Sequence, residues 1–217
     1  MPAEVCVLVD GTPHAEFVPF EQLVELLDQG SERCSSGRRL EGSDNPMRLL
    51  RTYRNGTFAN AERIEWLAQM VERAAEQHPG KRAVLAGYSA GGYLIYAAVT
   101  DDRVWERLDP LLARVITLAS PYVLIGPVNF QNRDGTMRIR EKPIQAELPR
   151  ISIETVAARL KDRLTVVYGT EDPVVLPANA SFRRGGVPGR YDEIAISHGN
   201  HGTIGSHPEW RAFVRRL

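Results

Sequence analysis

Short apolar runs alternate along this chain with segments that repeat at helical spacing, and that alternation leaves few folds open. Residues 5–9, 82–86, 115–119, 164–168 and 191–196 read as strands. Between them, Phe20, Leu23, Val24 and Leu27 pattern a helix over 19–29, with Gly30 as its stop. Ile64, Leu67, Ala68, Val71 and Ala75 pattern another over 60–78, ended by Pro79-Gly80. A helix from 91 to about 99 leads to a polar turn at 100–102, and Trp210, Phe213 and Val214 mark a closing helix over 209–217. The order predicts an α/β fold: a mostly parallel sheet flanked by helices on both faces.

The remaining stretches read as connections. Residues 31–45 are polar and predict a loop, and Asn45-Pro46 is suited to start a short helix through residue 50. Prolines at 127, 143 and 149 argue against a long regular element over 122–150. That segment is either a small cap over a site or a loop excursion. With no internal repeat and no linker, residues 1–217 are expected to form a single domain with a substantial core.

Charge is balanced, 27 basic residues against 27 acidic, which gives no basic block for nucleic acid and no acidic tail. No run approaches the ~20 apolar residues that span a bilayer. The start lacks the charged and apolar regions of a signal peptide, so an integral membrane segment is not expected and a cytoplasmic location is. Cys6 falls in an apolar strand and Cys34 in a polar stretch, which suits a buried thiol and an exposed one better than a disulfide. Neither has metal-ligand spacing to a histidine, and no metal or cofactor is implied.

Chemistry is concentrated at Gly87-Tyr88-Ser89-Ala90-Gly91, between an apolar strand and a stretch that can be helical. A serine at the tip of a sharp strand-to-helix turn points its hydroxyl away from the backbone, and glycines on either side remove Cβ atoms that would clash there. The same turn leaves the Ala90 N–H at a helix N-terminus, where developing negative charge is favoured. With this glycine and serine content, chance supplies about 0.07 such patterns per chain. Val84, Leu85 and Ala86 before it, and Tyr93, Leu94, Ala97 and Ala98 after it, supply the strand and helix that the turn requires.

A serine hydroxyl is a weak nucleophile until a positioned base takes its proton, and the base must be held in one tautomer. The chain offers the partners downstream. After the strand at 164–168 comes Gly169-Thr170-Glu171-Asp172-Pro173, and after that at 191–196 comes Ser197-His198-Gly199-Asn200-His201-Gly202. Both Asp172 and Glu171 are candidate acids, and His201, His198 and His207 are candidate bases. His207, before Pro208, is placed to cap the last helix, and His78 ends a helix whose dipole it complements.

These segments, with Val7-Leu8-Val9-Asp10-Gly11-Thr12 and Thr117-Leu118-Ala119-Ser120-Pro121, resemble the α/β-hydrolase superfamily in its small lipase and esterase branch. The resemblance runs from residue 7 to residue 202, in the chain order serine, acid, histidine. It implies Ser89 as nucleophile, Asp172 as acid and His201 as base, with His198 the alternative base. It implies an oxyanion site made by the Ala90 and Thr12 amides. Relatives usually carry His-Gly where this chain has Asp10-Gly11, so the second donor departs from the common pattern. The implied activity is hydrolysis of a carboxylic ester, small-molecule or lipid, through an acyl-enzyme and with little or no lid. Thioesters use the same machinery. The Gly-Tyr-Ser core also resembles cutinases and phage cell-envelope esterases, which often have glutamine in place of Ala90. An α/β-hydrolase-fold protein that binds without catalysis is the reading of another class.

Overall fold

Apolar side chains on both sides of a strand belong in a parallel sheet covered twice, and the central strands here have that composition. The protein is described by a computed structural model over residues 4–9, 34–39, 61–123, 128–131, 137–140 and 151–214. Strands β1 (Glu4–Val9), β2 (Cys34–Arg39), β3 (Ala83–Tyr88), β4 (Leu112–Leu118), β7 (Leu164–Gly169) and β8 (Asp192–Ile196) form one sheet, in the order β2-β1-β3-β4-β7-β8. Every neighbouring pair is parallel.

Alternation along the strands divides the core. Ala83 and Leu85 of β3 pack with Leu112 and Val115 of β4 and Leu164 and Val166 of β7 on one face. Val84, Ala86 and Tyr88 point to the other, with Ile116, Leu118 and Val167. The first face is covered by α1 (Ala61–Gln77), α2 (Ala90–Thr100), α3 (Asp102–Leu108) and α4 (Ile153–Leu160). The second is covered by Trp210 and Phe213, following the single helical turn α5 (Pro177–Ala180), from α6 (Pro208–Val214). The expected sandwich of sheet between helices is therefore present.

Several boundaries differ from the sequence reading. Helix α1 buries Ala74 rather than Ala75, beside Ile64, Leu67, Ala68 and Val71. Helix α2 buries every residue from Ala90 to Val99, as an apolar helix wedged between sheet and neighbours must. The polar turn at 100–102 is the start of α3, where the Asp101 carboxylate caps the helix by accepting from the Val104 N–H at 3.0 Å. The loop expected over 31–45 contains strand β2. Among the described residues it is the outermost strand and pairs with β1, and backbone pairing demands no apolar pattern in the sequence. Cys34 lies opposite Glu4 and Cys6 opposite Gly37, so the two cysteines are on paired strands but out of register.

Within 122–150, β5 (Val128–Gln131) and β6 (Met137–Arg140) form a two-stranded antiparallel pair. The helices expected over 19–29 and 46–50 lie outside the described residues.

Candidate active site

At the C-terminal end of β3 the backbone turns at Ser89 with φ 53° and ψ −123°, a conformation that side-chain-bearing residues rarely adopt. The turn is held on both sides. The Ser89 N–H donates to the Leu118 carbonyl at 2.9 Å, and the Ser89 carbonyl accepts from Gly92 and Tyr93. Strand and helix approach closely at Gly87 and Gly92: a Cβ on Gly87 would lie 2.7 Å from the Gly92 backbone. One on Gly92 would collide with the Ser120 side chain. Ser89 precedes the first residue of α2, yet its hydroxyl makes no capping bond to the helix.

That hydroxyl instead lies 3.0 Å from Nε2 of His201. On the other side of the ring, Nδ1 is 2.8 Å from Oδ2 of Asp172. The Asp172 side chain is 0% exposed and that of His201 13%. A carboxylate so deeply buried needs its lone pairs filled, and Oδ1 accepts from the Val174 and Val175 N–H groups, each at 2.8 Å. An ionised carboxylate can only accept, so the bond to Asp172 places the ring proton on Nδ1 and leaves the Nε2 lone pair facing Ser89.

The turns carrying Asp172 and His201 interlock. The Thr170 N–H donates to the Ile196 carbonyl at 3.0 Å and the Glu171 N–H to the Gly199 carbonyl at 3.1 Å. The Thr170 hydroxyl accepts from the His198 N–H at 3.0 Å. The turns meet at Gly169, where any Cβ would overlap the Gly199 carbonyl. Beyond that contact the Asn200 side chain accepts from the Gly202 and Thr203 N–H groups, closing a turn around His201.

No protein-family model matches the sequence, and comparison with curated proteins gives no match. Solved structures do match the fold. Est1E from Butyrivibrio proteoclasticus superposes with a TM-score of 0.63 at 15% identity, covering 98% of this chain and 86% of its own. Carboxyl esterase 2 from the mycorrhizal fungus Tuber melanosporum gives 0.64 at 15% identity, covering 98% and 74%. An α/β serine hydrolase described as lacking a lid, from Xanthomonas campestris, gives 0.54 at 13% identity, covering 99% and 82%. This chain has the α/β-hydrolase fold.

Within that fold the rival acid and base pair with each other. His198 Nδ1 lies 2.6 Å from Oε1 of Glu171, and their side chains are 84% and 60% exposed. They are on the surface, whereas Asp172 and His201 are turned inward to Ser89. His207 caps α6, accepting from the Glu209 N–H at 3.3 Å through its ring. Ala90 opens α2, so its amide belongs to the first turn, where N–H groups have no intrahelical acceptor. Thr12 and Asp10 lie outside the described residues. Among the described residues no cluster of three or more His, Cys, Asp or Glu could hold a metal ion, and no helix is long and apolar enough to cross a membrane.

Two contributors were missed in the sequence. Thr170 gave no signal as a tie between loops. Tyr88 is buried at the end of β3; its hydroxyl donates to the His201 carbonyl at 2.7 Å, and its ring centroid lies 5.1 Å from the imidazole. Its place beside Ser89 in the motif was the available clue.

Proposed function

We propose that this chain is a single-domain serine hydrolase that cleaves carboxylic esters through an acyl-enzyme on Ser89. The supporting observation is the hydrogen-bonded line from the Ser89 hydroxyl through both nitrogens of His201 to a buried Asp172. Ser89 Oγ attacks the ester carbonyl while Nε2 of His201 takes its proton. Asp172 holds the imidazole and stabilises the imidazolium. The Ala90 amide receives the oxyanion at the helix N-terminus, with Thr12 as the second donor. His201 returns the proton to the leaving alcohol, and water, activated by the same base, releases the acid.

An ester with an apolar acyl group suits the surroundings. Val123, Val174 and Leu176 are the exposed large hydrophobics among the described residues. They lie beyond the C-terminal ends of β4 and β7, as Ser89 lies beyond that of β3. Hydrolysis of p-nitrophenyl esters of increasing acyl length by wild type and Ser89→Ala tests the reading. The expected result is turnover by the wild type and a loss on the order of 10⁶ in kcat for the variant. Equal turnover by both would refute the mechanism, and a wild type that no fluorophosphonate labels would favour a binding protein on the same fold.

A further inference from the structure

The nucleophile and the base leave strands that are not neighbours. Ser89 follows β3 and His201 lies beyond β8, with β4 and β7 between them in the sheet. Acid and base are locked together across the adjacent pair β7 and β8, but none of those bonds fixes the distance from imidazole to hydroxyl. Among the described residues, one side chain is seen to span that gap. Tyr88, covalently next to Ser89, reaches the main chain of His201 with its hydroxyl at 2.7 Å and lies beside the ring at 5.1 Å, tilted by 33°. The side chain is 1% exposed, so it brings no solvent with it.

We infer that Tyr88 is a positioning residue that sets the distance between Ser89 and His201. The inference rests on the reading of Ser89 as nucleophile. The phenol O–H holds the carbonyl of the base, and the ring limits how far the imidazole can swing. Both groups are buried against His201, so ground-state binding should be unaffected and only the proton transfer should lose its alignment. Misplacement by 1 Å costs up to ~10²-fold in rate; loss of one tether while the ring remains should cost about tenfold.

The test compares wild type, Tyr88→Phe, His201→Ala and the double variant with a p-nitrophenyl ester. Rates are expressed per mole of folded protein, measured by circular dichroism, so that an unfolded fraction drops out in all four, including the variants without the base that activates Ser89. Tyr88→Phe should lower kcat and the labelling rate about tenfold and leave KM within about twofold. In the His201→Ala background, Tyr88→Phe should change the residual rate by less than about twofold, because a residue acting through the base has nothing left to position. An unchanged kcat, or an equal loss in both backgrounds, overturns the inference. Failure of the wild type to label overturns instead the nucleophile reading on which it rests.

Discussion

Replacing Ser89 by glycine and by alanine separates the cost of the turn from the chemistry of the hydroxyl. Both variants lose Oγ and its bond to His201, so that loss cancels in the comparison. They differ in the Cβ, which alanine keeps at φ 53° and ψ −123°. A side-chain-bearing residue held in such a region costs ~1–3 kcal/mol. Glycine removes that strain but has more unfolded-state freedom to lose, a cost of about 0.4–1 kcal/mol. Midway values of about 2 and about 0.7 leave Ser89→Gly more stable than Ser89→Ala by ~1.3 kcal/mol. At roughly 2–4 °C per kcal/mol for a chain of this length, the glycine variant should melt about 3–5 °C higher. Equilibrium urea denaturation with matched m-values, alongside thermal melts followed by circular dichroism, measures the difference. A glycine variant that melts at or below the alanine variant would show that the turn is not strained, and the account of the elbow would fail.

Asp172→Asn removes the acceptor that fixes the His201 tautomer and should lower kcat on the order of 10⁴-fold, whereas Glu171→Gln and His198→Ala, which alter only the exposed pair, should stay within about twofold. An ester assay on the three variants decides which carboxylate matters. Spectrophotometric titration should find Tyr93, Tyr96, Tyr122 and Tyr191 ionising above the ordinary phenol value of 10.0, chiefly because burial disfavours phenolate, with Tyr93 pushed up to about 12. A phenol whose folded value is raised contributes stability that is whole below 10 and lost as pH rises, for Tyr93 between about 10 and 12. Seven tyrosines titrating together near pH 10 in the folded protein would contradict the packing.

Much of the fold is legible because its strands must be apolar on both faces. Val84, Leu85 and Ala86 can satisfy a doubly covered sheet and little else, and the same holds for Val115 to Leu118. Edge strand β2 is illegible for the opposite reason. Its pairing with β1 is through the backbone, and Ser35, Ser36 and Gly37 carry no pattern that a strand requires. Helices α3 and α4 had local signals. Asp101 stands before Val104 and Leu108, and Ser152 before Ile153, Val156, Ala157 and Leu160, the spacing of a capped amphipathic turn. At 100–102 the aspartates suggested a turn because the same side chain that caps a helix also closes one.

The choice between the two acids and the two bases shows where sequence order stops being informative. Glu171 and Asp172 are consecutive, and His198 and His201 share one short loop, so chain order admits any pairing. What decides is the direction each side chain takes once the turns interlock. The bonds from Thr170 and Glu171 to Ile196 and Gly199 align the two turns residue against residue, and consecutive side chains then diverge. Glu171 meets His198 in solvent, where an exposed pair is worth at most ~1 kcal/mol. Asp172 goes beneath, into a site where two backbone N–H groups already await one oxygen and His201 takes the other. Only the buried pair has water excluded from it, so only there does the carboxylate act on the imidazole in a medium of low dielectric. That asymmetry comes from the contact of Gly169 with Gly199. A single methyl group at Gly169 would meet the Gly199 carbonyl and force the turns apart, which should loosen acid from base without altering any residue of the relay.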